Sequence, residues 1–133
     1  MTLRERLKTL QTAITEYSGL PTYTERFQGD EEPELCVIFL SDESPWEIIP
    51  RAKSAAMFYM VETRHDLDNL SRQADENYLE SDAEQKHLDL ITYLIDNPIP
   101  GGFSFIHIST SKSMDAEKRY IIQTKLKTNT VEV

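Results

Sequence analysis

Apolar residues recur every three or four positions near the start of the chain, a spacing that places side chains on one stripe of a helix. The stripe comprises Leu3, Leu7, Leu10, Ile14 and Tyr17. Thr2 and Glu5 have the spacing of a capping box, whereas Gly19 and Pro21 end the pattern. The sequence therefore predicts a first helix that ends before Gly19.

A second stripe follows Ser81 and Glu84, which again have capping-box spacing. Its members are Leu88, Ile91, Leu94 and Ile95. Asn97 and Pro98 end the run, because proline cannot continue a helix. We predict a second helix between Ser81 and Asn97.

Segments rich in β-branched and aromatic residues predict strands. Leu35–Leu40 is almost wholly apolar, as in a strand buried on both faces, and Ala55–Glu62 is a weaker candidate. Trp46–Ile49 could form a short strand, Phe103–Ser109 is rich in β-formers, and alternate residues of Arg119–Leu126 share one apolar face. Neighbouring strands without a regular βαβ alternation predict an α+β fold, with an antiparallel or mixed sheet flanked by helices.

The chain of 133 residues has the size of one domain, and we expect residues 1–133 to form one. Its longest uncharged apolar run, Leu35–Leu40, is far shorter than the roughly 20 residues of a membrane span. The first residues are charged from Arg4 onward and lack the features of a secretory signal. We therefore expect a cytoplasmic protein that does not enter a membrane.

Negative charge is concentrated in the middle of the sequence. Fifteen acidic residues stand against four basic ones between Asp30 and Glu84, and the whole chain has a net charge of −9. Such a field repels phosphates and argues against direct nucleic-acid binding. It would attract a basic surface, such as the groove of a protein that binds nucleic acid. Alternatively, the charge merely keeps a small protein soluble.

Signatures of catalysis are mostly missing from the sequence. It has no glycine-rich phosphate loop, no Gly-x-Ser-x-Gly elbow and no His-Glu-x-x-His helix. Cys36 lies inside an apolar segment and is expected in the core, where a thiol is unreactive. His65 and His87 are expected at the surface, and His107 as a hydrogen-bonded interior residue. We expect no enzyme, no cofactor and no metal site of the protein's own.

The segment Ser41–Glu47 follows the predicted strand directly and is the most distinctive in the chain. It places two carboxylates, Asp42 and Glu43, on a turn and the single tryptophan, Trp46, a few residues later. One interpretation puts Trp46 in the core and leaves the acids as solvated turn residues. The other is that the acids and the aromatic ring together bind a partner protein.

The segment resembles the Ser-Glu-Ser-x-x-Pro-aromatic-Glu run of the cyanobacterial nuclease A inhibitor family. His65–Arg72 is similar to a further Asp- and Ser-Arg-containing stretch of that family, and Asp75–Tyr78 to an Asp-Trp-Tyr element before an acidic helix start. The tail Thr124–Val133 also ends in the family's manner. The resemblance covers most of Val37–Val133.

The resemblance implies an α-β-α sandwich around a mostly antiparallel sheet, and an inhibitor that imitates substrate phosphates in the active site of its target. Asp42, or its neighbour Glu43, would face the magnesium of the nuclease through water. A second patch, before the second helix, would fill the substrate groove. The implied partner-binding residues are Ser41, Asp42, Glu43, Trp46, Glu47, Asp75, Glu76, Tyr78 and Val133.

The sequence thus leads to three hypotheses about function. The first is a protein inhibitor of a non-specific, magnesium-dependent DNA/RNA nuclease, with a basic nuclease or another nucleic-acid-binding protein as partner. The second is an acidic interaction or adaptor domain without a nuclease target. The third is a small hydrolase or metal-binding protein, which would require a pocket where acids converge with a histidine or a metal.

Overall fold

The structure is a computed structural model and describes residues 3–24, 32–41, 58–98, 104–115 and 118–128. The helices in these ranges are α1 (Leu3–Ser18), α2 (Leu67–Ala74) and α3 (Glu80–Asp96). The strands are β1 (Thr22–Tyr23), β2 (Glu34–Leu40), β3 (Phe58–His65), β4 (Phe105–Met114) and β5 (Tyr120–Thr128). The predicted α+β class is confirmed.

The five strands form one sheet in the order β1-β2-β3-β5-β4. Only β1 and β2 are parallel, and the remaining neighbours are antiparallel, so the prediction of a mostly antiparallel sheet is also confirmed. One edge of the sheet is β1, which has two residues, and the other is β4, which has ten.

The strand register defines two ends of the sheet. Glu34 pairs with His65, which pairs with Tyr120, and we call this the Glu34 end. Leu40 pairs with Tyr59 at the opposite end, which we call the Leu40 end. A strand rises roughly 3.3 Å per residue, so the two ends lie roughly 20 Å apart along β2.

Helices α1 and α3 pack on the same face of the sheet and form one core with it. That core comprises Leu10, Ile14, Leu20, Cys36, Ile38, Tyr59, Val61, Leu90, Ile91, Leu94, Phe105 and Leu126. Leu35 and Val37, on the opposite face of β2, also have no exposed surface, so the prediction of a strand buried on both faces is confirmed.

The helix boundaries agree with the sequence analysis except at the start of α3. Gly19 ends α1 with a φ of 73°, a conformation that glycine adopts without strain. Helix α3 begins at Glu80, before the predicted Ser81, because the Asp82 carboxylate accepts a 2.8 Å hydrogen bond from the backbone N–H of Leu79. The predicted partner Glu84 bonds instead to Lys112 and Tyr120.

The structure differs from the sequence prediction in two further elements, α2 and β3. Helix α2 was not predicted, because its eight residues are too few for a helical pattern to stand out, although Leu67, Leu70 and Ala74 have helical spacing. Strand β3 continues to His65, beyond the predicted limit at Glu62. The candidate strand Trp46–Ile49 lies outside the described residues. No helix in the ranges given above has the length and apolar character needed to span a bilayer.

Candidate functional site

The acidic residues after α2 lie in an exposed turn at the Glu34 end. Asp75 caps α2 in the left-handed conformation with a φ of 53°, and both Asp75 and Glu76 are exposed. Tyr78 is half-buried and donates a 3.0 Å hydrogen bond to Oε2 of Glu34. Burial and the Glu34 carboxylate raise the pKa of Tyr78. The Tyr78 hydroxyl is therefore engaged with Glu34, whereas the side chains of Asp75 and Glu76 are exposed to solvent.

The other predicted patch begins at the Leu40 end. Ser41 is buried, and its backbone N–H donates a 2.8 Å hydrogen bond to the carbonyl of Phe58. The other predicted partner-binding residues of this patch, and of the C-terminus, lie outside the described residues: Asp42, Glu43, Trp46, Glu47 and Val133. The structure thus separates Ser41 from the Asp75 turn by the length of β2, and a partner that touches both must span it.

Strand β4 is the most exposed regular element of the sheet. Nine of its ten residues are exposed, and no described strand pairs with its outer side. Its exposed apolar side chains are Ile106, Ile108 and Met114, and its only charged residue is Lys112. A register shift between His107 and Ser109 marks a bulge at Ile108. Within β4, the bulge at Ile108 and the charge of Lys112 are the only features that discourage pairing with another strand.

A cavity of about 290 Å³ opens between α3 and the sheet beside β4. Leu88, Ile91 and Ile122 provide its apolar wall. The Lys112 ammonium and the Glu84 carboxylate form an ion pair of 2.5 Å among the lining residues. The remaining lining side chains are His87, His107, Thr110 and Thr124. The cavity therefore has room for an apolar side chain of a partner that binds at the outer side of β4.

A buried carboxylate lies at the Glu34 end of the same face. Glu34 accepts hydrogen bonds from Tyr78, from Lys86 and, at 2.8 Å, from Nδ1 of His65. Burial opposes ionisation of this carboxyl, but the bonds from His65 and Lys86 outweigh it and lower the pKa of Glu34 to about 2. Glu34 is therefore ionised at neutral pH.

Threonine and histidine side chains continue from this carboxylate across the core. Nε2 of His65 lies 2.9 Å from Oγ1 of Thr63, which lies 2.7 Å from Nδ1 of His87. Nε2 of His87 lies 2.7 Å from Oγ1 of Thr124. Burial, with a contribution from His65, lowers the pKa of His87 to about 4, so this imidazole is neutral at pH 7.

The network reaches the surface at β4. Oγ1 of Thr124 lies 2.9 Å from Oγ1 of Thr110, which lies 2.8 Å from Nε2 of His107. All three histidines of the chain therefore belong to one series of hydrogen bonds, which runs from Glu34 in β2 through β3, α3 and β5 to the edge strand. In the part of the chain that is described, no three potential ligands gather as a metal site would require.

The predicted environments of the histidines were wrong. His65 and His87 are buried, with 0% and 3% of their surface exposed, whereas His107 is exposed. The error for His87 was avoidable, because it continues the buried stripe of α3 between Ala83 and Leu90. The sequence contained no comparable signal for His65, whose burial depends on Glu34 and α3. The expectation that Cys36 is a core residue is confirmed.

Comparison with known proteins adds a likeness of fold. No protein-family model matches the sequence, and no curated protein matches it. A chain in the solved virion of a native gene transfer agent (GTA) particle is similar, with a TM-score of 0.64 over 98% of this chain and 95% of that chain. The two sequences are 11% identical, so the likeness shows a shared fold alone.

Proposed function

We propose that this protein is a structural subunit of a protein assembly, and that it associates with a second copy of itself through β4. The observation that carries the proposal is the ten-residue edge strand, of which nine residues are exposed. The unpaired N–H and C=O groups of a long edge are a template for another strand, and most proteins shield them. This proposal specifies the second of the three hypotheses, a protein-interaction domain.

The composition of β4 suits pairing with itself. Antiparallel pairing over the full length of β4 places Phe105 opposite Met114 and His107 opposite Lys112 of the other copy, so no two lysines face each other. Favourable cross-strand pairs contribute roughly 0.2–1 kcal/mol each. The contact would be the same for both copies, as in a twofold dimer, and would join two five-stranded sheets into one.

The likeness of fold supports the same role. The similar chain belongs to the virion of a native gene transfer agent (GTA) particle. A shared fold does not by itself carry function from one protein to another. It agrees here, however, with an independent feature of this chain, the edge of β4 with which no described strand pairs.

Analytical ultracentrifugation across a concentration series tests the proposal. We expect wild-type protein to self-associate, and the double variant Ile106→Lys with Ile108→Lys to remain monomeric, because charged side chains protect strand edges. Leu79→Lys is the matched control, since Leu79 is also exposed but lies outside the sheet, directly before α3. A wild-type protein that stays monomeric at every concentration would overturn the proposal, as would equal association of all three proteins.

Inhibition of a nuclease remains a second candidate, favoured by the exposed acids Asp75 and Glu76. Carboxylates on such a turn can imitate phosphates toward a basic groove. The candidate predicts that near-stoichiometric protein abolishes the activity of a magnesium-dependent nuclease, and that Asp75→Ala weakens this effect. Glu16→Ala, in the exposed part of α1, is the control. Unchanged inhibition by Asp75→Ala would contradict the assignment of this turn.

A further inference from the structure

An exposed leucine on α3 lies beside the open edge of the sheet. Within the described residues of α3, Leu88 is the only large apolar side chain that is exposed, at 57%. It lines the cavity beside β4, whose apolar wall it shares with Ile91 and Ile122. An apolar side chain in this position would lose contact with water if a partner covered the cavity.

Hydrogen bonds define the lateral position of α3 above the sheet. Glu84 accepts one bond from Lys112 of β4 and another from Tyr120 of β5, so α3 lies above the gap between these two strands. Neighbouring strands are roughly 4.8 Å apart. The helix therefore lies roughly half a strand spacing inward from the edge strand.

The position of Leu88 along the sheet follows from the residue that precedes it. Nε2 of His87 lies 2.7 Å from Oγ1 of Thr124, and Thr124 pairs with Thr110 of β4. Leu88 is therefore level with Thr110. The midpoint of β4 lies between Ser109 and Thr110, and the twofold axis of a full-length antiparallel pair passes through this midpoint. Leu88 thus lies at the level of that axis.

We propose that the two α3 helices of the self-associated protein pack against each other across this axis, and that Leu88 of each copy enters the cavity beside β4 of the other. The inference rests on the proposed pairing of β4 and adds a helical layer to it. A twofold axis perpendicular to the joined sheet keeps both helices on the same face. It lies half a strand spacing outside β4, so the helices would be roughly 10 Å apart. Packed helices are typically about 8–10 Å apart.

The twist of a sheet also gives a suitable crossing angle. Each step from one strand to the next rotates by roughly −20 to −25°. The two α3 helices would be separated by two such steps, and helices that follow their strands would cross at roughly −40 to −50°. This angle is close to the commonest class of helix packing, at roughly −50°.

The charges around Leu88 are compatible with this contact. One turn to either side of Leu88 the helix has Glu84 and Thr92, so an antiparallel pair places Glu84 opposite Thr92 of the other copy. Glu84 already forms an ion pair with Lys112. Asp89 lies roughly 100° around the helix from Leu88 and points away from the contact. No two like charges meet, and no unpaired charge is buried.

The cavity is large enough for a leucine side chain. Its volume is about 290 Å³, whereas an apolar cavity of roughly 150 Å³ accommodates benzene. The four side-chain carbons of Leu88 from the second copy would contact Ile91, Ile122 and the first Leu88. The contact therefore buries apolar surface on both copies.

Analytical ultracentrifugation of Leu88→Ala tests the contribution of this contact. The substitution removes three carbon atoms from each side of the interface, so the Kd of self-association should rise roughly 10- to 30-fold. Leu79→Ala is the matched control, because Leu79 is exposed to the same extent, 57%, and should leave the Kd unchanged. Leu88→Met keeps an apolar side chain of similar volume and should associate as wild-type protein does.

Cross-linking with a short bis-maleimide tests the geometry. Leu88→Cys should give a covalent dimer, because the two thiols face each other across the axis. Leu79→Cys should not, since Leu79 precedes Leu88 by nine residues and the two copies of it would lie roughly 27 Å apart. The native thiol, Cys36, is buried and does not compete for the reagent.

The outcomes separate this contact from the proposed function. Wild-type self-association that Leu88→Ala leaves unchanged, without a cross-link through Leu88→Cys, would overturn the helix contact and leave the pairing of β4 intact. A wild-type protein that stays monomeric would overturn the proposed function and this inference together. Association that requires Leu88 but persists in Ile106→Lys with Ile108→Lys would overturn the pairing of β4.

Discussion

Burial of His87 should make the stability of this protein depend on pH in a defined window. The imidazole is 3% exposed, and its pKa is lowered from 6.5 to about 4. A base whose pKa is lowered by folding binds its proton more readily in the unfolded chain. The contribution of His87 to stability is therefore complete above pH 6.5, falls as the pH decreases toward 4, and does not change further below that value.

The size of the effect follows from the shift in the pKa. Each pKa unit corresponds to 1.36 kcal/mol, so a shift of this size lowers the free energy of unfolding by about 3 kcal/mol at pH 4 and below. At pH 5 the loss from His87 is roughly 2 kcal/mol. Because small domains are stable by only about 5–15 kcal/mol, this single side chain should account for a visible part of acid unfolding.

Urea denaturation followed by circular dichroism at pH 7, 6 and 5 measures this dependence. His87→Gln should be less stable than wild-type protein at pH 7, because the bonds to Thr63 and Thr124 are disturbed, but its stability should change less between pH 7 and 5. His107→Gln is the control, since His107 is exposed. The reasoning is refuted if His87→Gln retains the wild-type pH dependence, or if wild-type stability is the same at pH 7 and 5.

Three further predictions follow from buried or stacked side chains. Glu34→Gln should lower the free energy of unfolding at pH 7 by up to about 3 kcal/mol. It should also remove the loss of stability that wild-type protein shows between pH 4.5 and 2. Urea denaturation at several pH values measures both effects. Burial raises the pKa of the Cys36 thiol, so its reaction with a thiol reagent at pH 8 should be slow in native protein and rapid in urea. The rings of Tyr17 and Tyr93 are stacked with centroids 4.0 Å apart, and Tyr17→Ala should destabilise the protein by about 1 kcal/mol in urea denaturation.

Much of the fold was predictable from the sequence because the core is built on simple periodicities. The spacing of Leu10 and Ile14 and the apolar run of β2 correspond directly to buried positions. Alternation in β5 likewise placed Tyr120 and Leu126 on the face that packs against the helices. Strand order was not predictable, since the pairing of β3 with β5 depends on contacts between residues far apart in sequence.

The polar interior was not predictable for a related reason. A buried histidine or threonine is tolerated only where hydrogen-bond partners meet it, and those partners come from other elements of the fold. His65 is an example, because it needs Glu34 from β2 and Thr63 from its own strand. Sequence patterns identify such a residue as polar and therefore place it at the surface. The structure is needed to show that its partners are also inside.

The buried hydrogen-bond series and the proposed self-association both involve β4, and this connection has a physical reason. An edge strand can leave polar side chains such as Thr110 partly in solvent, whereas the same residue in a central strand would have to be bonded completely within the core. Strand β4 is therefore the place where the interior network can meet water, and also the place where another strand can add. A second copy paired with β4 would remove water from around His107 and Thr110, so these two side chains would have to keep their mutual hydrogen bond or find partners on the second copy.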